Sequence, residues 1–179
     1  MVGTVERVGE GRAVFSADGL YRYRLSRIWS NHGGLARLAC WILLNPSTAD
    51  QDVLDPTLRR GLGFTKALGL DGMLVVNLFG LRSTDPRALL AASDPVGPEN
   101  DEFIQGAVNE SELVVLGWGA HEAVRRTGRD LTITAMIRRR GDRTMYCLGR
   151  TADGSPRHPL YLRSDAKLVE YATEQEAGR

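Results

Sequence analysis

The chain has little lysine, little cysteine, little histidine and no long apolar run, and each shortage removes a class of protein. Two cysteines, Cys40 and Cys147, both sit in apolar stretches. That usage fits reduced, buried thiols in a cytoplasmic protein and excludes a disulfide framework. Three histidines and two cysteines show no metal-ligand spacing, so neither a metal nor another cofactor is expected. The apolar runs fall far short of the roughly 20 residues a membrane span needs. The opening M-V-G-T-V-E-R carries no signal-peptide core. Net charge is only +1, so no global field draws the protein to nucleic acid or membrane. Only 2 of the 23 basic residues are lysine. The arginine excess suits phosphate, which a guanidinium grips through a planar fork; a genome rich in G and C produces the same bias.

What remains is ordinary for a globular protein: 42% hydrophobic and 25% charged residues over 179. That length supports one domain, 1–179, with a core of its own. V-E-R-V at 5–8, A-V-F at 13–15 and the alternating Y-R-Y-R-L at 21–25 predict an N-terminal β-hairpin extension over about residues 1–30. Buried strands are expected at Leu38–Leu44, Met73–Leu78, Leu113–Leu116 and Arg143–Leu148. Asp55-Pro56 and Asp85-Pro86 read as helix starts, with Asp as N-cap and Pro at the first helical position. The first helix should reach Leu68 and the second Ala92. Further helices are expected over Glu99–Val108, from Gly119 to Thr127, around Leu131–Arg139, and over Asp165–Thr173. Strands alternating with helices predict a three-layer α/β/α fold around a mostly parallel four-stranded sheet.

Three apolar runs stop abruptly at polar or Gly-rich turns: L-L-N-P-S-T-A-D at 43–50, V-V-N-L-F at 75–79 and V-V-L-G-W-G-A-H at 114–121. S-P-R-H-P-L-Y follows at 155–161. Buried parallel strands end in this way, and open α/β sheets bind ligands at the carboxyl ends of their strands. Asn45, Asn77, the Gly117–His121 turn and His158 are therefore expected to converge on one pocket.

These segments, in this order, resemble the uracil-DNA glycosylase superfamily. V-V-L-G-W-G-A-H-E-A resembles the strand and turn written L-W-G-S-H-A there. V-V-N-L-F is similar to the strand whose Asn reads the edge of a flipped pyrimidine, the place of Asn77. L-L-N-P-S resembles the first catalytic motif, with Asn45 where the water-activating Asp or Asn stands. R-H-P-L-Y is similar to the late H-P-S-P-L motif, with His158 at its catalytic His. The longer pattern N-P-S-T-A-D…D-P-T…N-L-F…R-S-T-D-P…W-G resembles a bacterial and phage family known only as a domain of unknown function. Two departures matter. Ser47-Thr48 stand where one branch has the aromatic that excludes thymine, which leaves room for a larger base. Asn45 is no carboxylate, so Asp50 or Asp52 would have to supply one.

The resemblance implies a DNA glycosylase that flips a modified or damaged pyrimidine from the stack and hydrolyses its N-glycosidic bond. Asn45 and Asp50 would handle water, and His158 would stabilise the departing base. Asn77, Phe79, Pro46 and Ser47 would contact the base, and Arg59, Arg82, Gly119, His121 and Arg157 the DNA phosphates. Each has a plainer reading. Asn45 and Ser47 are ordinary turn formers, Asn77 can bond its own loop, Trp118 and Phe64 can be core, and His121 suits a supporting role. DNA, with or without modified bases, is the expected partner, and a monomer the expected state. Two alternatives stay open: a non-catalytic nucleic-acid or nucleotide-binding module, and an enzyme acting on free modified nucleotides.

Overall fold

The computed structural model describes residues 11–29, 35–47, 56–139, 141 and 143–172, and the backbone of 4–8. Its centre is one mixed sheet of eight strands: β1 (Thr4–Val8), β2 (Gly11–Phe15), β3 (Arg22–Ile28), β4 (Leu38–Leu43), β5 (Gly72–Asn77), β6 (Leu113–Leu116), β7 (Met145–Cys147) and β8 (Val169–Glu170). Their spatial order is β1-β2-β3-β5-β4-β6-β7-β8. The sheet is thus wider than the four strands expected. Only its interior, β5-β4-β6-β7, is parallel throughout. The N-terminal segment is a three-stranded antiparallel meander whose last strand, β3, joins the sheet by pairing with β5.

Every residue of β4 and β5 is buried. Both faces of these strands therefore need cover, which is why their sequences read as unbroken apolar runs and not as alternation. Cover comes from five helices: α1 (Pro56–Ala67), α2 (Ala88–Ala91), α3 (Asn100–Glu110), α4 (Glu122–Thr127) and α5 (Arg129–Arg138). Leu58 and Phe64 of α1 pack on Ala39, Trp41, Leu43, Met73 and Val75. The opposite face, with Cys40, Ile42, Leu74, Val76 and Leu116, packs on Leu89, Ile104, Ala107, Val124, Ile133 and Ile137 of α2 to α5. The two clusters follow the period of two that a strand imposes.

The C-terminal helix expected over Asp165–Thr173 is not formed within the described residues. Val169–Glu170 instead form the edge strand β8, antiparallel to β7. The reason is tertiary. β7 would otherwise end the sheet with unpaired backbone, which is costly. Tyr171 donates its N–H to Met145 O at 2.7 Å, and its buried ring meets Trp118 edge-on at 6.1 Å. Two buried contacts outweigh the weak helix propensity of a short segment.

Candidate functional site

The parallel strands run in the order second, first, third, fourth along the chain, so the direction of winding reverses between β4 and β6. The loop after β4 leads to α1 on one face, and the loop after β6 leads to α4 on the other. Open α/β sheets bind their ligands at the carboxyl ends of the strands beside such a reversal, which makes this end of the sheet the candidate crevice.

Register gives the site its frame. Asn77 is the partner of Leu43, and Ile42 is the partner of Leu116. Gly117 donates its N–H to Ile42 O at 2.9 Å, so Asn77, Leu43 and Gly117 stand level on adjacent strands. At the usual strand spacing Asn77 and Gly117 are roughly 10 Å apart, and Asn45, two residues beyond Leu43, is roughly 8 Å from Asn77.

Asn77 is 1% exposed, and its Nδ2 makes no hydrogen bond among the described residues. Its main chain is held firmly. Asn100, at the start of α3 and fully buried, donates Nδ2 to Asn77 O at 3.0 Å and to Leu78 O at 3.2 Å. Arg129 at the start of α5 adds a bond from Nε to Leu78 O at 2.9 Å and is itself paired with Asp101. Asn100 and Arg129 are functional candidates that the sequence reading missed. Their partners lie 23 and 51 residues away, beyond any local pattern.

The half-buried Asn45 donates Nδ2 to Pro46 O at 3.2 Å and to Ser83 O at 2.9 Å. Ser83 N in turn donates to Pro46 O at 2.9 Å. Both amide hydrogens of Asn45 are thereby committed to backbone, leaving its Oδ1 as the acceptor it can offer. Pro46 is buried and Ser47 half-buried in the same loop. Asp50 and Asp52 lie outside the described residues.

The last loop arrives from β7. Gly119 donates to Pro156 O at 2.9 Å, and Arg157 N to Gly149 O at 2.9 Å. Pro159 opens a 3-10 turn, Pro159–Tyr161, that packs beside α1. A Cβ on Gly117 would stand 3.1 Å from Pro159 Cδ and 3.2 Å from Leu43 Cδ2. Glycine is therefore what lets this turn settle on the end of β6. Gly119 has φ +73, and a Cβ there would lie 3.4 Å from His158 Cβ. His158 thus sits against the β6 turn, its ring 5.8 Å from that of Tyr161. His121 caps α4: its Nδ1 accepts from Ala123 N at 3.2 Å, the supporting role that suits it.

Two expected contacts, Phe79 and Arg82, stand elsewhere. Phe79 is 0% exposed within the core that α2 to α5 cover, so it is a core residue and not a stacking ring. The chain leaves the strand after Asn77, and the period of two that would keep Phe79 beside it no longer holds. Arg82 is turned to the meander, donating to Gly19 O at 2.9 Å with its guanidinium 4.9 Å over the Phe15 ring. Arg59 is exposed on α1, and Arg157 is exposed with Nε bonded to Arg150 O at 2.9 Å. Phe64 is core, under Arg60.

Among the described residues, no group of three or more His, Cys, Asp or Glu is placed to hold a metal ion, and no helix is long and apolar enough to cross a membrane. No curated protein and no solved structure matches the chain. A family profile described as protein of unknown function, DUF1643, matches residues 22–160, a span that begins with β3 and ends in the 3-10 turn behind His158. It takes in every element that lines the crevice, and the chain belongs to the DUF1643 family.

Proposed function

We propose that this protein is a DNA glycosylase-like hydrolase that takes a flipped, modified or damaged pyrimidine into the crevice and cleaves its N-glycosidic bond. The observation that carries the reading is Asn77: a side-chain amide 1% exposed, with a donor that has no partner among the described residues, level with Leu43 beneath Asn45. A buried amide group without a hydrogen bond costs about 1–3 kcal/mol, a cost that a ligand presenting a complementary edge removes. A pyrimidine's Watson–Crick edge offers such acceptors and donors, and an Asn amide can answer both.

The other groups take roles consistent with that placement. Asn45, its amide hydrogens fixed on Pro46 O and Ser83 O, offers Oδ1 to a water. His158, beside Gly119, donates toward charge that develops on the leaving base. Ser47, half-buried in the Asn45 loop, would leave room for a base larger than uracil. Exposed Arg59 and Arg157 serve the phosphates.

A second reading, a non-catalytic nucleic-acid or nucleotide-binding module, is favoured by one observation: Asn45 is not a carboxylate and both its amide hydrogens serve the loop. One panel separates the two. Oligonucleotides carrying uracil, thymine mismatches and larger 5-substituted pyrimidines are incubated with the protein and scored for abasic sites. The glycosylase reading expects abasic sites with at least one modified base. Salt-sensitive binding with no abasic site anywhere in the panel would select the binding module.

A further inference from the structure

We propose that Asp85 is the carboxylate of this site, facing the attacking water and the sugar carbon from the loop after β5. The inference rests on the glycosylase reading and assigns the one group that Asn45 cannot supply.

The geometry is a chain of short links. Asn45 Nδ2 holds Ser83 O at 2.9 Å, and Ser83 N holds Pro46 O at 2.9 Å. Ser83 Oγ then donates to Asp85 O at 2.8 Å and accepts from Asp85 N at 3.1 Å. Asp85 is therefore clamped two residues from the residue that grips the Asn45 side chain. Its side chain is 50% exposed, so water reaches it. One charged group pairs with it: Arg87, at 2.8 Å. The loops after β4 and β5 thus meet beside Asp85, through Asn45 and Ser83. The Arg87 side chain and N–H hold the carboxyl below its ordinary range, so it stays ionised at neutral pH.

An ionised carboxylate serves this chemistry in two ways. As the C1′–N bond breaks, its electron pair leaves with the base and the sugar acquires oxocarbenium character. A fixed negative charge stabilises that positive sugar. The water oxygen bonds to C1′, the carboxylate takes the water proton, and that proton passes to solvent. The Arg87 ion pair does not block this role, because an exposed pair in water contributes little and exchanges readily.

The plain alternative is a cap. Asp85 Oδ1 accepts from Arg87 N at 3.0 Å, closing the turn into α2. Asn closes such a turn as well as Asp, so Asp85→Asn keeps the cap and removes the charge. The experiment uses the cleaved oligonucleotide from the panel and the full chain. Asp85→Asn should lower the single-turnover rate by roughly 10²-fold or more, with the thermal midpoint and the affinity for an uncleavable analogue unchanged. Asp85→Ser, a second capping residue, should behave alike and replaces the first variant if that one folds poorly. A full rate in either variant, or a loss confined to Asp50→Asn, overturns the assignment and leaves the glycosylase reading standing. A wild type that cleaves nothing in the panel overturns the glycosylase reading, and this inference with it.

Discussion

The side-chain amide of Asn100 donates to the main-chain carbonyl of Asn77 at 3.0 Å, tying the start of α3 to the end of β5. β5 runs out of ladder partners there, so the carbonyls of Asn77 and Leu78 need donors from elsewhere. Asn100→Leu removes both bonds and leaves two buried acceptors, one of them still served by Arg129. The expected cost is about 1–3 kcal/mol. A urea unfolding midpoint equal to that of the wild type would show that the clamp contributes nothing.

Gly119 tests the left-handed turn that follows β6. Its φ of +73 lies in the left-handed region, and an added Cβ would meet His158 Cβ at 3.4 Å, an ordinary contact distance. Gly119→Ala should therefore cost roughly 1–2 kcal/mol in stability through its backbone alone. Thermal denaturation measures it. A variant as stable as wild type would contradict the left-handed conformation.

Cys40, on the centre strand, is fully buried, and burial pushes its thiol up from 9.0 to about 12. The neutral thiol is the form the fold favours. Its contribution is complete below pH 9 and is lost as pH rises from there toward 12. Global stability should therefore fall across that window. A disulfide-exchange reagent at pH 8 should find Cys40 unreactive until denaturant unfolds the protein. Rapid labelling of Cys40 in the native protein would contradict its burial.

The interior of this fold was legible because buried parallel strands announce themselves. β4, β5 and β6 are apolar runs cut off at Asn45, Asn77 and Gly117, and their limits in the structure lie within a residue or so of those read from sequence. Pro56 opens α1 as expected for a Pro at the first helical position; Asp55, expected as its cap, lies outside the described residues. The margins were not legible. β8 exists because β7 needs an edge partner, and nothing within Val169–Glu170 says so. Phe79 looked like a ring at the pocket mouth because period two was extended past the end of its strand. Asn100 and Arg129 act across long loops on backbone atoms, which leave no trace in a pattern of side chains. Asp85 was visible only as a helix cap; its link to Asn45 through Ser83 needs coordinates.

His158→Ala should slow base release more than it weakens binding. His158 lies between the buried Pro156 and Pro159 in the chain, with its Cβ beside Gly119, so its backbone is set before any ligand arrives. A donor aimed at charge that appears only during bond breaking acts on the transition state, and losing one typically costs about 10²–10³ in rate. Weakened binding of an uncleavable analogue with an unchanged single-turnover rate would reassign His158 to substrate contact.

The central claim is that the crevice at the ends of β4, β5 and β6 receives a base through Asn77 and releases it. The most direct measurement is mass-spectrometric detection of the free base released from a modified-pyrimidine oligonucleotide, counted against abasic sites, for wild type and Asn77→Ala. The account predicts free base and abasic sites in equal amounts with the wild type, and loss of preference for the modified base in the variant. Base released by both proteins with the same preference, or no free base from the wild type, would contradict it.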